Sequence, residues 1–189
     1  MNRSHRSSAA LLVIFSIALC AGSAQAEYIV DLYGGYADTK DAQTSGMGGI
    51  RIGGYVERVP VVDVGIAVQI SGFAPVRTPL FDIAIIPISP MLMVRLPLLV
   101  DDEFTRGRIQ PYIGIGPTFM YQQLSFELGN DEDDKNEMEV GVEFDLGVNF
   151  HLRKWLSLFA EYRFTSASNA FGSGDIETNQ ILGGVGFHF

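Results

Sequence analysis

The sequence predicts an all-β fold, an eight-stranded antiparallel up-and-down β-barrel that crosses a membrane. Three observations predict it. Apolar residues alternate with polar ones over stretches of about ten residues, the length of a tilted membrane strand. The opposite face of these stretches carries charge and glycine, which suits a narrow lumen better than the wet face of a soluble sandwich. Short connections take turns with longer polar ones, as when one side of a barrel has tight turns and the other has loops.

The first 26 of the 189 residues read as a secretory signal peptide. Arg3 and Arg6 make a positive start, Ala9 to Ala21 is an apolar run, and Ala24-Gln25-Ala26 is a small-x-small cleavage site. The run is short for a membrane helix, which needs about 20 residues. Leu19 stands where a lipoprotein signal needs a small residue, so Cys20, the only cysteine, is expected to leave with the signal. The mature domain, 27–189, then holds no cysteine for a disulfide or a Cys-x-x-Cys site. With Arg3 and Arg6 removed, 11 basic residues face 22 acidic ones, a net charge of −11. That balance excludes a basic nucleic-acid face.

Eight segments read as strands: roughly 28–38, 48–57, 61–73, 82–99, 109–127, 139–151, 156–166 and 179–189. In the third, Val62, Val64, Ile66, Val68 and Ile70 oppose Asp63, Gly65, Ala67, Gln69 and Ser71. The sixth sets Val140, Val142, Phe144, Leu146, Val148 and Phe150 against Gly141, Glu143, Asp145, Gly147, Asn149 and His151. The seventh and eighth repeat the pattern, with Leu158 and Tyr162 opposite Glu161 and Arg163, and Val185, Phe187 and Phe189 opposite Gly186 and His188. Period-two alternation is the signature of a strand with two unlike faces.

The short links are Glu57–Val61, Asp101–Arg108 and Leu152–Trp155; the long ones are Thr39–Gly46, Ala74–Phe81, Leu128–Met138 and Ser166–Thr178. With the N-terminus periplasmic, every short link falls on the periplasmic side. Pro87, Pro90 and Pro97 in the fourth segment cannot donate ladder hydrogen bonds, and bulges are expected to absorb them. Pro111 and Pro117 lie in the fifth, whose alternation slips at Gln122-Gln123; a second bulge or a strand running past the bilayer would explain the slip.

Alternation points Asp31, Arg51, Glu57, Asp63, Arg95, Glu143, Asp145, Glu161 and Arg163 inward. An eight-stranded barrel is filled by its own side chains, and buried charges must pair or be solvated. Arg51, Asp63, Arg95, Glu143, Asp145, Glu161 and Arg163 are therefore expected to form a polar network that plugs the lumen. A narrow ion path or a proton-linked gate is the alternative. Asp131-Glu132-Asp133-Asp134, with Glu127, Glu137 and Glu139 nearby, reads as a solvated outer loop; the spacing matches no EF-hand. His151 and His188 fall on the inner face near the periplasmic rim, with no metal-ligand spacing. Tyr28, Tyr36, Tyr112, Tyr121, Trp155 and Tyr162 are candidates for interfacial aromatic girdles. No cofactor or metal is expected.

The ending Gly183-Gly184-Val185-Gly186-Phe187-His188-Phe189 resembles the C-terminal strand of outer-membrane barrel proteins. In such proteins the alternate apolar residues and final aromatic, here Phe187 and Phe189, are an assembly signal for the barrel-assembly machinery. Glu161-Tyr162-Arg163-Phe164-Thr165 is similar to the penultimate strand of porin-like barrels of the OmpA and OmpX type. The resemblance implies an eight-stranded barrel of the bacterial outer membrane and no single activity. The expected role is that of a non-enzymatic barrel, structural or interacting through its outer loops, with a minor pore activity as an addition. Its implied partners are outer-membrane lipid, lipopolysaccharide and the assembly machinery, with a monomer as the expected state.

A second resemblance is to the lipid A 3-O-deacylases, outer-membrane barrels with a His-x-Ser-Asn-Ala motif and a later glutamate. Ser168-Asn169-Ala170 matches part of that motif, with Glu177 in the glutamate role only if the loop is shorter. Gln180 stands at the ungapped position, and Ser166 stands where the histidine belongs and cannot act as general base. A soluble lipid-binding barrel is a further alternative, disfavoured by the outward apolar stripes.

Overall fold

The computed structural model describes residues 26–40, 42–59, 62–77, 81–128, 131–132, 135–168 and 175–189. The signal peptide expected at 1–26, Cys20 included, lies outside them apart from Ala26, the first residue of the first strand. Eight long strands follow in order: β1 (Ala26–Thr39), β2 (Ser45–Val59), β3 (Val62–Arg77), β4 (Phe81–Arg95), β5 (Ile109–Leu128), β6 (Lys135–Arg153), β7 (Leu156–Ser168) and β8 (Asp175–His188). Asp131–Glu132 adds a two-residue pairing against Glu127–Leu128.

Each strand pairs antiparallel with its sequence neighbour, and β1 pairs with β8, which closes the barrel. The seam continues past β8: Tyr28 and Phe189 exchange both backbone bonds, at 3.1 and 2.9 Å. The stagger follows from the register. A path across directly paired residues runs from Tyr28 through Gly54, Ile66, Leu92, Ile115, Phe144, Phe164 and Asn179. It returns to β1 at Asp38, ten residues beyond its start. With the usual strand rise and spacing, this stagger tilts the strands by about 40° to the axis, within the range for barrels.

The outward faces carry the apolar stripes. Val64, Ile66, Val68 and Ile70 on β3, and Val140, Val142, Phe144, Leu146, Val148 and Phe150 on β6, are all exposed. In water such a surface would aggregate; in lipid it is the solvent-matched face. Among the described strand residues the buried side chains point into the barrel, so the core is the lumen.

The strands depart from expectation at their outer ends. β2 starts at Ser45, β3 runs to Arg77, β6 starts at Lys135 and β8 at Asp175, so four long links are partly paired strand. Backbone pairing does not need apolar side chains, and an established hairpin register propagates into water. On the other side, β4 stops at Arg95 rather than 99, and the link to β5 spans 96–108.

The prolines are absorbed without the expected bulges. β4 keeps one register against β5 on both sides of the Ser89–Met91 gap, and β5 keeps one register against β6 from Ile109 to Leu124. The slip in alternation at Gln122-Gln123 is therefore not a bulge, and the strand simply continues to Leu128. Register shifts occur elsewhere: between Phe73 and Val76, at Pro75 of β3, between Val56 and Val59 of β2, and between His151 and Arg153 of β6.

Candidate functional site: the barrel lumen

Period-two parity delivers the inward residues of all eight strands to one space. Arg51, Asp63, Arg95, Glu143, Asp145, Glu161 and Arg163 are all buried there, as is Asp31. The Glu57 side chain lies outside the described residues. The charges do not form a single plug. They fall into a central network and a periplasmic rim cluster, separated by Ile29, Tyr55, Ala67, Met91, Met93 and Tyr112.

Two arginines organise the central network. Arg51 Nη2 donates to Glu161 Oε2 at 2.6 Å, and its Nε lies 3.1 Å from Asp31. Arg163 Nη2 donates to Glu161 Oε1 at 2.7 Å and to Gln69 Oε1 at 2.5 Å, while Nε lies 3.3 Å from Asp145 Oδ1. Gln69 passes the connection on, its Nε2 donating to Asp145 at 2.5 Å and to Glu143 at 3.2 Å. Tyr112 OH donates to Glu161 at 2.6 Å, and Thr165 Oγ1 donates to Glu143 at 3.3 Å. Among the described residues, seven buried carboxylic side chains face three buried arginines. Neutral donors therefore matter here: Gln69, Tyr112 and Thr165 solvate carboxylates that no guanidinium fully covers.

The rim cluster centres on Glu27. Its carboxylate takes a bond from Arg95, lies 2.6 Å from His188 Nδ1 through Oε1, and lies 3.3 Å from Arg106. Arg95 Nε also donates to Asp63 at 2.9 Å, and its guanidinium sits 4.0 Å from the Tyr55 ring centroid. His188 Nε2 lies 2.8 Å from Ser157 Oγ. Ser157, His188 and Glu27 thus stand in the order of a hydrolase triad. The surroundings do not support hydrolysis. Ser157 has no exposed surface, and both its backbone edges are paired in the sheet. With Ser157 fully buried, an acyl carbon has no approach to its oxygen.

A second apolar layer closes the outer half of the lumen, formed by Tyr33, Ala37, Met47, Phe73, Ile85, Met120, Phe159, Ala167 and Leu182. Inward glycines make room for the aromatics: a Cβ at Gly184 would meet the Phe159 ring at 2.7 Å, and one at Gly49 would meet Tyr33 at the same distance. Glu27, Tyr33, Gln69, Tyr112 and Phe159 are lumen residues that the list of inward charges omitted. Parity was the available signal, since Tyr33 follows Asp31 by two positions and Glu27 precedes it by four. Tyr112 is the one correction among the girdle candidates. It points inward and is 3% exposed, because the even positions of β5 face the lumen. Tyr28, Tyr36, Tyr121, Trp155 and Tyr162 are outside.

The deacylase candidates lie at the other end. The register sets Ser166, not Ser168, opposite Glu177, and Ser168 opposite Asp175. Glu177 pairs with Lys40 at 3.5 Å, both exposed. Gln180 is buried in the lumen, donating to Thr165 at 3.2 Å. The described histidines, His151 and His188, both sit at the periplasmic rim. Asp133 and Asp134 of the acidic run lie outside the described residues. Among the described residues no group of three His, Cys, Asp or Glu side chains is placed to hold a metal ion.

The model of the outer membrane protein β-barrel domain matches residues 7–189. The chain belongs to that family. It is a β-barrel protein of the bacterial outer membrane. A search of curated protein sequences finds no match. Solved structures with the same fold include Ail, the attachment invasion locus protein of Yersinia pestis, at 12% identity and a TM-score of 0.62, covering 87% of this chain and 98% of Ail. Neisserial surface protein A is similar at 16% identity and a TM-score of 0.59, over 87% of this chain and 97% of that one. The N-terminal β-barrel domain of Pseudomonas aeruginosa OprF is similar at 11% identity and a TM-score of 0.53, over 86% and 97%. At these identities the likeness is one of fold.

Proposed function

We propose that this family member is a non-enzymatic barrel with a closed lumen, acting structurally or through its outer surface rather than as a channel. One observation carries the proposal: Arg51, Glu161, Arg163, Gln69 and Asp145 are buried, their side chains bond across the lumen, and apolar clusters pack around them. An ion crossing this space would have to break charge-assisted bonds between groups that have no water to turn to. Planar-bilayer recording of the purified protein tests it. A membrane resistance unchanged on insertion is expected; steady unitary conductance would overturn the closed lumen.

For the surface role, Ail offers a comparison, since one of its structures holds the heparin analogue sucrose octasulfate. The outer end of the β5–β6 hairpin here carries Glu127, Asp131, Glu132, Asp133 and Asp134 against Lys135. That charge repels a polysulfated ligand, so an outer-surface partner of this chain is expected to be cationic or neutral.

A further inference from the structure

The link between β4 and β5 is unlike the other two periplasmic turns. It spans 96–108 and is tightly built. Asp101 Oδ1 accepts the amides of Glu103 and Phe104 at 2.9 and 2.6 Å, Phe104 is buried, and Gln110 Nε2 donates to the Arg106 carbonyl at 2.7 Å. Gly107 takes φ +83°, where a Cβ would strike the Leu98 backbone. This inner part of the link caps the periplasmic mouth, with Arg106 on Glu27.

The outer part does the opposite. Leu98, Leu99 and Val100 are 39%, 64% and 60% exposed, three consecutive exposed apolar residues in a link that buries Phe104 and half-buries Leu96. A regular strand would turn the middle one inward. Leu99 instead adopts φ +53°, a left-handed conformation that a branched side chain takes only under constraint. Its carbonyl is held there by the Arg108 amide at 3.2 Å.

The surface these residues extend is the lipid-facing one. Beyond Arg95 the edge of β4 stays bonded to β5, with Leu96 N to Pro111 O and Leu98 N to Ile109 O both at 2.8 Å. Leu98 therefore continues the outward stripe of Ile88 and Leu92, beside Ile113 and Ile115. With strands tilted by about 40°, Leu98 lies roughly 5 Å to the periplasmic side of Tyr28, within a few ångströms of the level of Trp155 and Phe189. Tyr28, Trp155 and Phe189 are themselves exposed on that rim.

We propose that Leu98, Leu99 and Val100 form a wedge seated at the headgroup–acyl boundary of the periplasmic leaflet. The bilayer thereby holds the outer corner of the link whose inner corner caps the mouth. Continuity with the lipid-facing stripe selects lipid over a protein partner, since any protein seated there would have to displace lipid from β4 and β5 as well.

Fluorescence quenching by brominated lipid tests the proposal. In the full barrel carrying Trp155→Phe, Leu99→Trp places one tryptophan on the wedge, and Asp102→Trp places one just beyond it. In phosphatidylcholine vesicles brominated at the 6,7 positions, the Leu99→Trp emission is expected to fall at least twofold, and less with bromines at 11,12. The Asp102→Trp emission is expected to change little. Equal weak quenching of the two, in barrels that still show heat-modifiable migration, would overturn the proposal. So would a cross-linked dimer through Leu99→Cys. If Trp155→Phe does not fold, Leu99→Cys carrying an environment-sensitive dye, with Trp155 kept, gives the same reading: emission in lipid no bluer than from Asp102→Cys overturns the wedge.

Discussion

Arg163 is the sharpest test of the lumen. Its side chain is 1% exposed and serves Glu161, Asp145, Gln69 and the Tyr33 hydroxyl at once. Arg163→Met keeps a similar bulk and removes the charge. The loss is not the whole network, because each carboxylate keeps another partner. Glu161 retains Arg51 and Tyr112, both at 2.6 Å, Asp145 retains Gln69 at 2.5 Å, and Glu143 retains Thr165 at 3.3 Å. What disappears is the guanidinium's bonds to Glu161, Gln69 and Tyr33, its ion pair with Asp145, and the compensation of excess buried negative charge. Such a removal costs about 3–5 kcal/mol when a buried charge loses its partner. The assay is reversible urea unfolding in phospholipid vesicles, followed by Trp155 emission. Adding Glu161→Gln to Arg163→Met is expected to return a substantial part of the loss, because one uncompensated charge leaves with the partner it lost. As a control, Lys40→Ala breaks an exposed pair and is expected to cost less than about 1 kcal/mol. If Arg163→Met costs no more than Lys40→Ala, the lumen charges are solvated and the reasoning for a dry network fails.

Two further outcomes follow from the packing and the seam. Gly184→Ala drives a methyl toward the Phe159 ring and is expected to destabilise by roughly 1–3 kcal/mol. In a Phe159→Ala background the cost should fall only in part, because the added Cβ still meets the Leu32 carbonyl oxygen, and a cycle of unfolding free energies reads the coupling. Deleting Phe189 removes both backbone bonds to Tyr28 and the exposed terminal aromatic. A severalfold lower yield of heat-modifiable protein in the membrane fraction is expected, while the molecules that do insert keep the wild-type unfolding midpoint to within a few degrees.

Much of the barrel was legible because period-two alternation is a local property. Val140 to Phe150 declares both faces of β6 without reference to any other strand, and the turn lengths then order the hairpins. The seven lumen charges were legible for the same reason. Other features were not. The link after Arg95 looked like continued strand, since Leu96-Pro97-Leu98-Leu99-Val100 is as apolar as β4 itself; backbone geometry at Leu99 and the Asp101 turn end the strand there. The prolines suggested bulges because a lost donor is visible in the sequence. Whether the two flanking ladders hold register across it is a property of three strands together. Tyr112 read as a girdle residue because an aromatic near a strand end has the same local signature on either face.

By itself, the sequence determined the fold class, the strand count and the two faces of the strands that alternate cleanly, because each depends on side-chain chemistry at a spacing of two. It also determined that the lumen is charged and that acids outnumber bases there. Only the tertiary structure decided who pairs with whom. The stagger of ten residues around the barrel sets which inward side chains share a level. That stagger places Glu27 of the first strand against His188 of the last and Arg95 from across the mouth, and places Arg51 and Arg163 on one Glu161. Register is a cooperative choice of all eight strands closing on themselves, so no single segment contains it.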